Sequence, residues 1–483
     1  MLPSSIDCLM SRTELCYLSA CEQKIELDQG SISAVALIEA HLEQIERFNP
    51  VINAIVTLDP EGALQQASVI DQRRKAGQPL GPLAGLPVAH KDLTLTKGMR
   101  TTFGSKLYKD FIPDQDSAVV KRLRTAGAIT MGKTNTPEWG AGSQTFNDVF
   151  GATTNPFDPT KTCGGSSGGA AAALAARLVP LCDGSDLGGS LRNPASFCNV
   201  VGFRTSPGRV SNLPTEALWN DLSITGPMAR TVDDCALLLS AMAGPDPASP
   251  LSIHQSGAQF WPLDELAHEG VRVAFSPDFN GQIPIEPDVV RATETAGALL
   301  EAVGCSVERA CLDFSGADRT FEVLRALSFH SRHGPGIEHQ PDMYKDTVKW
   351  NAAEGAGLTK ADLMDTTAKR NALGQRCAAF FADFDFLVLP VVQVLPFDVN
   401  EPWVKTIQGE PMTTYISWMK SCYMVSALGT PAISIPLTFS DQGLPVGLQI
   451  VAPWGQDLRL LQFSKLLEAQ ISARMIVPRL VSP

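Results

Sequence analysis

Three features of other protein classes are missing from this sequence of 483 residues. No window approaches the roughly 18 consecutive apolar residues of a membrane-spanning helix. The start, MLPSSIDCLMSRTELC, has neither the basic residues nor the apolar run of a secretion signal. No CxxC, HExxH or HxH pattern occurs, so the sequence predicts no metal site. We therefore expect a cytoplasmic protein that uses neither a membrane nor a metal.

Positive charge is also scarce. The 39 Lys and Arg residues are outnumbered by 51 Asp and Glu residues, which gives a net charge of -12. Because an acidic surface repels phosphate and no run of basic residues makes a local exception, nucleic acid is excluded as a partner. The cysteines number 11, an odd count in a chain too long to need disulfide bonds. We expect them to be reduced thiols.

The composition, 44% hydrophobic and 19% charged, is typical of a globular protein with a large core. Helix and strand patterns alternate along the chain, and no repeat or low-complexity linker interrupts them. This alternation predicts an α/β fold in which helices flank both faces of a mixed, twisted sheet. The sequence therefore predicts one large domain over residues 1–483.

Local patterns place some of these elements. Residues 31–50 show apolar residues at helical spacing, with Ser33 as the predicted cap and Asn49-Pro50 as the predicted end. Residues 86–90 predict a short buried strand that ends at Lys91. The segment of about 312–425 is rich in aromatic residues and less regular. We expect that segment to cover one edge of the sheet above the active site.

Two serines stand in glycine-rich clusters, GGSSGG at residues 164–169 and DLGGSLR at residues 186–192. Glycine lets a substrate approach the main chain closely, so successive N–H groups of the second cluster can hold one oxygen. Residues 170–177 predict an alanine-rich helix whose N-terminus adds a positive dipole end. The P-loop, dinucleotide-binding and GxSxG patterns do not match. Each cluster alone fits a structural turn as well as a catalytic site.

Taken together, the motifs resemble the amidase signature family. Ser166 and Ser190 stand 24 residues apart, as the two serines of that family's signature do. Cys163 is a departure, because a proline often precedes GGSSGG in the family. The resemblance runs from about residue 30 to 470. The segments that match are GPLAGLP at 81–87 with KD at 91–92, GKTNTPE at 132–138, GATTNP at 151–156, PAISIP at 431–436 and GLPVGLQ at 443–449.

The resemblance implies a role for each residue at a matching position. Ser190 corresponds to the nucleophile, Ser166 to a bridging serine in a cis peptide bond, and Lys91 to the base. It implies a hydrolase of amide C–N bonds that needs no cofactor. The implied donors of the oxyanion hole are the N–H groups of Leu187, Gly188, Gly189 and Ser190.

These roles agree with general chemistry. A lysine accepts a proton only when it is neutral, and burial lowers its pKa. Asp92 adjoins Lys91, but alternation along an extended strand turns its carboxylate away. Lys91 then takes a proton from Ser166 while Ser166 takes one from Ser190, and an acyl-enzyme forms and is hydrolysed by water.

Other predictions concern the surroundings of the serines. Asp186 and Arg192 flank the nucleophile, and we expect them to pair and hold the loop. For Arg209 a structural turn is the alternative to a position at the site mouth, and for Trp418 the alternative is core packing. The predicted substrate contacts are Gly140, Ala141, Gly142, Arg209 and Trp418.

Three functions remain open. The first is a free-standing amidohydrolase for hydrophobic amides, anilides and carbamates (urethanes), similar to aryl acylamidase and urethanase-like members. It would act on small molecules as a monomer or homodimer. The second is the glutaminase subunit of a tRNA-dependent amidotransferase, which the aromatic-rich residues 395–425 fit poorly because glutamine needs a fixed Arg/Asp pair. The third is a non-catalytic binding protein on the same scaffold, against which the presence of all three catalytic residues speaks.

Overall fold

The computed structural model describes residues 10–215, 217–267 and 269–482. The predictions on the first nine residues, including Cys8, and on His268 lie outside these ranges. Strands within them are β1 (Ile55–Leu58), β2 (Pro87–Lys91), β3 (Ile129–Thr134), β4 (Phe146–Asn147), β5 (Gly151–Ala152), β6 (Leu181–Asp186), β7 (Val201–Arg204), β8 (Ile224–Ala229), β9 (Arg272–Phe275), β10 (Ser306–Glu308), β11 (Phe386–Pro390), β12 (Thr406–Ile407), β13 (Glu410–Pro411), β14 (Ala432–Phe439) and β15 (Pro445–Val451).

The α-helices alternate with these strands over most of the chain. In the described ranges they are α1 (Arg12–Tyr17), α2 (Ala20–Gln29), α3 (Ala34–Ile52), α4 (Pro60–Lys75), α5 (Ala118–Thr125), α6 (Gly168–Ala175), α7 (Arg192–Phe197), α8 (Val232–Met242), α9 (Pro287–Ala302), α10 (Ala317–His339), α11 (Asp346–Ala356), α12 (Lys360–Asp383), α13 (Lys420–Leu428) and α14 (Asp457–Glu468).

Among the described residues, eleven strands form one mixed sheet in the order β1-β3-β2-β6-β8-β7-β14-β15-β11-β9-β10. Strand β2 lies between β3 and β6 and runs parallel to both. Parallel strands present their carboxyl ends at one edge of a sheet, where α/β proteins place their sites. Lys91 is the last residue of β2 and therefore lies at that edge.

Apolar side chains cover both faces of the sheet. Along β11, Phe386 and Val388 pack into one core, and Leu387 and Leu389 pack into a second core on the other face. This alternation has the two-residue period of a strand buried on both sides. It confirms the predicted α/β class with helices on both faces of a mixed sheet.

Helix α3 begins as predicted but ends later. The Ser33 hydroxyl caps its start, accepting from the Ala36 N–H at 3.0 Å. Pro50 lies inside the last turn instead of ending the helix, which continues to Ile52. The reason is that Ile52 is fully buried and the left-handed residue Asn53 closes the helix with a hydrogen bond to the Asn49 carbonyl.

The prediction that residues 312–425 are less regular was wrong. Helices α10, α11, α12 and α13 fill most of this segment, and β11 is a strand of the central sheet. The sequence Gly334-Pro335-Gly336 is typical of a helix break, yet α10 continues through it. Packing of α10 against α11, α12 and α13 outweighs the low helical propensity of these three residues.

No helix in the described residues is both long and apolar enough to cross a membrane.

Candidate active site

Lys91 brings three serine hydroxyls together. Its side chain is fully buried at the end of β2, and its Nζ lies 2.7 Å from Ser166 Oγ, 2.9 Å from Ser167 Oγ and 3.0 Å from Ser185 Oγ. Ser166 and Ser167 come from the loop before α6, and Ser185 comes from β6, the strand beside β2. The amine therefore has hydroxyl groups as its direct partners.

Burial lowers the pKa of Lys91 to about 7, although the carboxylates of Asp186 and Asp183 act in the opposite direction. A free lysine has a pKa near 10.4. Close to neutral pH, a large fraction of Lys91 is therefore uncharged and able to accept a proton.

Asp92, which follows Lys91 in sequence, and Asp183 of β6 both have partners other than the Lys91 amine. Asp92 accepts hydrogen bonds from the main-chain N–H and the hydroxyl of Thr102, so its carboxylate points away from the site as predicted. Asp183 pairs with His90 Nδ1 and also accepts the main-chain N–H of Lys91 at 2.9 Å. These contacts fix the end of β2 without a direct carboxylate contact to the Lys91 amine.

Hydrogen bonds from a neighbouring loop hold the strand-to-helix connection that carries Ser166. Ser143 Oγ donates to the Gly165 carbonyl at 2.8 Å and accepts from Asn193 Nδ2 at 2.7 Å. Thr145 Oγ1 donates to the Gly164 carbonyl at 2.9 Å. The Gly165–Ser166 peptide bond is cis, as the resemblance implied.

Ser190 lies on the loop between β6 and α7, beside the Ser166 loop. Its carbonyl accepts the main-chain N–H of Ser167 at 3.1 Å, which joins the two glycine-rich clusters. The residue is 7% exposed, whereas Lys91 is fully buried. Within the described part of the chain no hydrogen bond joins the Ser190 and Ser166 hydroxyls. The Ser190 hydroxyl makes no hydrogen bond to any other described residue either.

Asp186 anchors the Ser190 loop through a buried network. Both of its carboxylate oxygens accept from Arg192 at 3.0 Å, and Arg204 lies 3.3 Å away. Burial alone raises the pKa of Asp186, but the two guanidinium groups outweigh it, so the pKa lies below its usual value. The predicted pairing of Asp186 with Arg192 is therefore a fully buried ion pair that fixes the loop.

A hydrogen bond to Asp186 excludes one of the predicted donors of the oxyanion hole. The N–H of Gly189 donates to Asp186 Oδ1 at 2.8 Å and is not available to a substrate. The N–H groups of Leu187, Gly188 and Ser190 make no hydrogen bond within the described residues. The N–H of Leu191 also donates to Asp186, so Leu187, Gly188 and Ser190 supply the unoccupied donors of the described loop.

Helix α10 closes over the same loop. A Cβ at Gly188 would lie 2.6 Å from the Phe321 ring and 3.1 Å from the Met419 methyl group. Gly189 has φ +121°, and a Cβ there would lie 2.6 Å from Cys422 Cβ. Only glycine fits these two positions, because any side chain would collide with the cover or strain the backbone.

The predicted substrate contacts at residues 140–142 lie beside the serines. A Cβ at Gly140 would lie 3.3 Å from Ser166 Oγ. Ala141 and Gly142 line a small pocket together with Trp403 and Tyr415, and a Cβ at Gly142 would lie 3.8 Å from the Tyr415 ring. This stretch therefore lies between Ser166 and the aromatic part of the cover.

Two other predicted contacts lie elsewhere. Arg209 forms a buried ion pair with Asp457 at 3.0 Å and donates to Gln255, so its guanidinium holds the start of α14. Trp418 is 1% exposed and packs against the rings of Phe197 and Phe397. The structural alternative is correct for Arg209, and core packing is correct for Trp418.

Sequence reasoning missed three side chains that support Lys91. Ser167 and Ser185 contact its amine, and Asp183 binds its main-chain N–H. A signal was available, because Asp183 and Ser185 are two residues apart on β6, the strand beside β2, and so lie on the same face of the sheet.

Metal-ligating side chains do not converge in the described ranges, where no group of three or more His, Cys, Asp or Glu residues can hold an ion.

Comparison with known proteins agrees with this geometry. The Amidase family profile matches residues 36–461. The chain is 34% identical over 462 residues to the acylamidase of Rhodococcus erythropolis, covering 95% of this chain and 97% of that protein. It is also 34% identical over 481 residues to a glutamyl-tRNA(Gln) amidotransferase subunit of Alkaliphilus metalliredigens, covering 93% of this chain and 96% of that protein.

Solved structures show the same fold. A bacterial aryl acylamidase of the amidase signature family superposes with a TM-score of 0.88 at 25% identity, covering 97% of this chain and 99% of that one. A 6-aminohexanoate cyclic dimer hydrolase superposes with a TM-score of 0.87 at 26% identity, covering 97% and 100%. The chain belongs to the amidase signature family. It is a hydrolase of amide C–N bonds that acts on small molecules.

Proposed function

We propose that this chain is a serine amidase in which Lys91 is the base, Ser166 the proton relay and Ser190 the nucleophile. The observation that carries the proposal is the buried Lys91 amine, whose pKa is about 7, at 2.7 Å from Ser166 Oγ. A hydroxyl becomes a useful nucleophile when a base withdraws its proton. A neutral amine bound to hydroxyls meets that requirement.

The proposed cycle moves one proton along these groups. Lys91 takes the Ser166 proton as Ser166 takes the Ser190 proton, and Ser190 Oγ bonds to the substrate carbonyl carbon. The proton then returns through Ser166 to the leaving nitrogen, the C–N bond breaks, and an acyl-enzyme remains. Water repeats the sequence, so that the acid is released and Ser190 is restored.

We assign the oxyanion hole to the N–H groups of Leu187, Gly188 and Ser190. All three lack a partner among the described residues, while the Gly189 N–H binds Asp186. A developing oxyanion replaces the missing acceptor and gains three preorganised hydrogen bonds. The Asp186–Arg192 pair keeps the loop in this shape before the substrate arrives.

The proposed substrates are hydrophobic amides and anilides, with carbamates as a further class. Trp403 and Tyr415 line the same small pocket as Ala141 and Gly142, so aromatic rings lie close to the stretch that adjoins Ser166. The acylamidase relative and the aryl acylamidase structure support an amide of this kind. A carbamate offers Ser190 the same type of carbonyl carbon.

Replacement of Ser190 tests the proposed nucleophile. We expect Ser190→Ala to lower kcat for a nitroanilide by at least about 1,000-fold, because the acyl-enzyme can no longer form. Ser464→Ala is the matched control, since Ser464 is buried in α14 and its hydroxyl donates to the Leu460 carbonyl of the same helix at 2.7 Å. Retention of a tenth of the wild-type kcat by Ser190→Ala would disprove the assignment.

A glutaminase subunit is the second candidate, because the amidotransferase relative is as similar in sequence as the acylamidase. Charged residues of the cover have other partners: Arg325 donates to the Tyr415 hydroxyl at 2.6 Å, and Asp318 pairs with Lys420 at 2.7 Å. These two residues are therefore not available as an Arg/Asp pair for glutamine.

A substrate panel separates the two candidates. We expect the isolated chain to cleave a nitroanilide or an N-aryl carbamate far faster than glutamine. Glutamine hydrolysis that exceeds anilide hydrolysis, or activity that needs added partner proteins, would favour the second candidate. In the proposed function the enzyme works in the cytoplasm as a monomer or homodimer, and prolonged chelation leaves its rate unchanged.

A further inference from the structure

His90 and Asp183 form a buried pair beside the proposed base. His90 Nδ1 lies 2.5 Å from Asp183 Oδ2, and neither side chain is exposed. His90 directly precedes Lys91 in β2, and Asp183 of β6 accepts the main-chain N–H of Lys91 at 2.9 Å. No step of the proposed cycle uses the pair, although the pair contacts the residue that carries the base.

Asp183 is ionised in this position. Burial raises its pKa, but the charge and the hydrogen bond of His90, with the main-chain N–H of Lys91, outweigh that effect and hold the pKa below its usual value. A buried carboxylate persists only when a cation balances it, because the protein interior solvates an isolated charge poorly. The identity of that cation therefore matters for the charge of Lys91.

The His90 ring is placed to be that cation. A charged imidazole donates from both of its nitrogens. Asp183 Oδ2 accepts at Nδ1, and Thr130 Oγ1 lies 3.3 Å from Nε2, where it can accept a second hydrogen bond. Histidine is also the side chain whose charge changes most readily near neutral pH. Both N–H groups of a charged ring thus have a buried acceptor.

The Lys91 amine has a different environment. Its contacts are three serine hydroxyls, and no carboxylate oxygen of the described residues bonds to it. Burial lowers the pKa of Lys91, while the charges of Asp186 and Asp183 act in the opposite direction. Asp186 already forms ion pairs with Arg192 and Arg204. Asp183 is therefore the carboxylate whose effect on Lys91 depends on a histidine.

Charged groups on the neighbouring strand β3 and the loop before α5 do not replace His90. The Lys133 amine donates to a carbonyl and a hydroxyl of the loop after β2, and its charge is shared between Asp92 and the buried pair. Asp116 acts on Lys133 in turn and pairs with Arg124 at 3.3 Å. Within the described part of the chain, none of these side chains hydrogen-bonds to the carboxylate of the pair.

The remaining groups on the elements packed against β2 carry no charge. On β6, burial and the nearby carboxylate raise the pKa of the Cys182 thiol well above its usual value, so the thiol stays neutral. Helix α6, which packs against β2, consists of glycine, alanine and leucine. His90 is therefore the cationic side chain in direct contact with Asp183 among the described residues.

We propose that His90 carries the positive charge that balances Asp183, and that this charge keeps Asp183 from stabilising a proton on the Lys91 amine. The proposal rests on the proposed function, because it concerns the protonation of the same base. His90 touches no reacting atom and acts only through Lys91. With the charge on the imidazole, the lysine stays neutral and accepts the Ser166 proton.

Three variants test the charge of His90. His90→Asn keeps an N–H donor near the position of Nδ1 but cannot become charged, and Asp183→Asn removes the carboxylate charge with little change of shape. The third variant carries both substitutions. The measurements are the midpoint of the acidic limb in single-turnover acylation by a nitroanilide and the plateau rate above that midpoint.

We expect His90→Asn to raise the midpoint by about one pH unit, because the unbalanced Asp183 carboxylate stabilises the protonated Lys91 amine. Well below both midpoints its acylation rate should be about tenfold lower than that of the wild type. The plateau rate should stay within about threefold, since the neutral amine keeps its hydroxyl partners. In the double variant the midpoint should lie no higher than in Asp183→Asn, because no carboxylate remains there to act on the amine.

His41→Asn is the matched control. His41 is another fully buried histidine, and its Nδ1 lies 3.0 Å from the Leu178 carbonyl. This substitution should leave the midpoint unchanged.

The midpoints also separate the two levels of the proposal. An unchanged or lower midpoint in His90→Asn, with or without a lower plateau, would overturn the role of His90 alone. A midpoint as high in the double variant as in His90→Asn would do the same. A wild-type rate without an acidic limb would instead overturn the base assignment of the proposed function. His90→Gln, a second neutral donor, decides the matter if His90→Asn does not fold.

Discussion

Two buried lysines on neighbouring strands differ in their partners more than in their pKa. Lys91 ends β2 and Lys133 lies in β3, and both side chains are fully buried. Burial lowers the pKa of Lys91 to about 7 and that of Lys133 to about 8. By its pKa alone, either residue qualifies as a general base.

Their hydrogen-bond partners separate them. The Lys133 amine donates to the Thr94 carbonyl and to Thr96 Oγ1, and it faces the carboxylate of Asp92. The Lys91 amine faces three hydroxyls, one of which is Ser166. The Thr96 hydroxyl donates its proton to the Thr94 carbonyl at 3.1 Å, so it leads to no reacting group, whereas Ser166 lies on the loop beside Ser190. A depressed pKa therefore becomes catalytic only when the neighbouring groups can exchange a proton with a reacting group.

The largest expected difference comes from the same substitution at both sites. Lys91→Met should lower kcat by about 1,000-fold or more, because the base is lost while the side-chain length is kept. Lys133→Met should keep kcat within about threefold for each folded molecule, because its amine touches no reacting group. The measurement is kcat for a nitroanilide, normalised to the concentration of active enzyme that burst titration gives. Equal losses of kcat at the two positions would contradict the proposed difference between Lys91 and Lys133.

Replacement of Lys91 by arginine tests whether the residue acts as a base or only as a positive charge. Lys91→Arg should be nearly inactive, because a guanidinium stays charged at any working pH and cannot accept a proton. Steady-state kcat for the nitroanilide measures this. Near-normal rates would show that Lys91 acts only as a fixed positive charge and that another residue is the base.

A smaller loss is expected one step along the relay. Ser166→Ala should retain more activity than Lys91→Met, because a water molecule can bridge the Lys91 amine to the Ser190 hydroxyl. We expect a kcat at least about tenfold above that of Lys91→Met, measured on the same nitroanilide. A lower kcat for Ser166→Ala than for Lys91→Met would assign to Ser166 a role beyond relay.

The smallest expected effect is on stability. Here Lys133→Met should be more damaging than Lys91→Met, which is the reverse of the order expected for kcat. Lys133→Met leaves Asp92 without a nearby cation and removes one of the two donors to the Thr94 carbonyl. Near Lys91, in contrast, Asp183 and Asp186 keep His90 and Arg192 as partners. We expect Lys133→Met to lose about 1–3 kcal/mol more unfolding free energy than Lys91→Met. Urea denaturation of the two variants measures the difference, and the opposite order would contradict this account.

Much of the fold was open to prediction, because strands buried on both faces and capped helices leave strong local patterns. The strand that ends at Lys91 and the Ser33 cap are examples. The regular helices of residues 312–425 were not predicted. In α10, for example, a Gly-Pro-Gly sequence has low helical propensity, and tertiary packing keeps the segment helical.

The candidate site was also predictable only in part. The family motifs indicated Lys91, Ser166 and Ser190, and the structure brings Lys91 and Ser166 into contact. The sequence could not predict which hydrogen-bond partner each individual N–H or guanidinium group has. The Gly189 N–H binds Asp186, three residues earlier in the same loop, and the motif alone does not show which N–H the carboxylate takes. The Arg209 guanidinium binds Asp457, 248 residues further along the chain, and only tertiary folding brings that partner close.

The pH dependence of acylation tests the central claim most directly. The claim is that Lys91 acts as a neutral base with a pKa of about 7. Below that pKa the amine is protonated and cannot accept the Ser166 proton, so the acylation rate should fall as pH falls and reach a plateau above it. Single-turnover acylation by a nitroanilide should show one acidic limb with a midpoint near pH 7, and Lys133→Met should keep that midpoint. A rate independent of pH between about 5 and 9, or a midpoint near the 10.4 of a free lysine, would contradict the account.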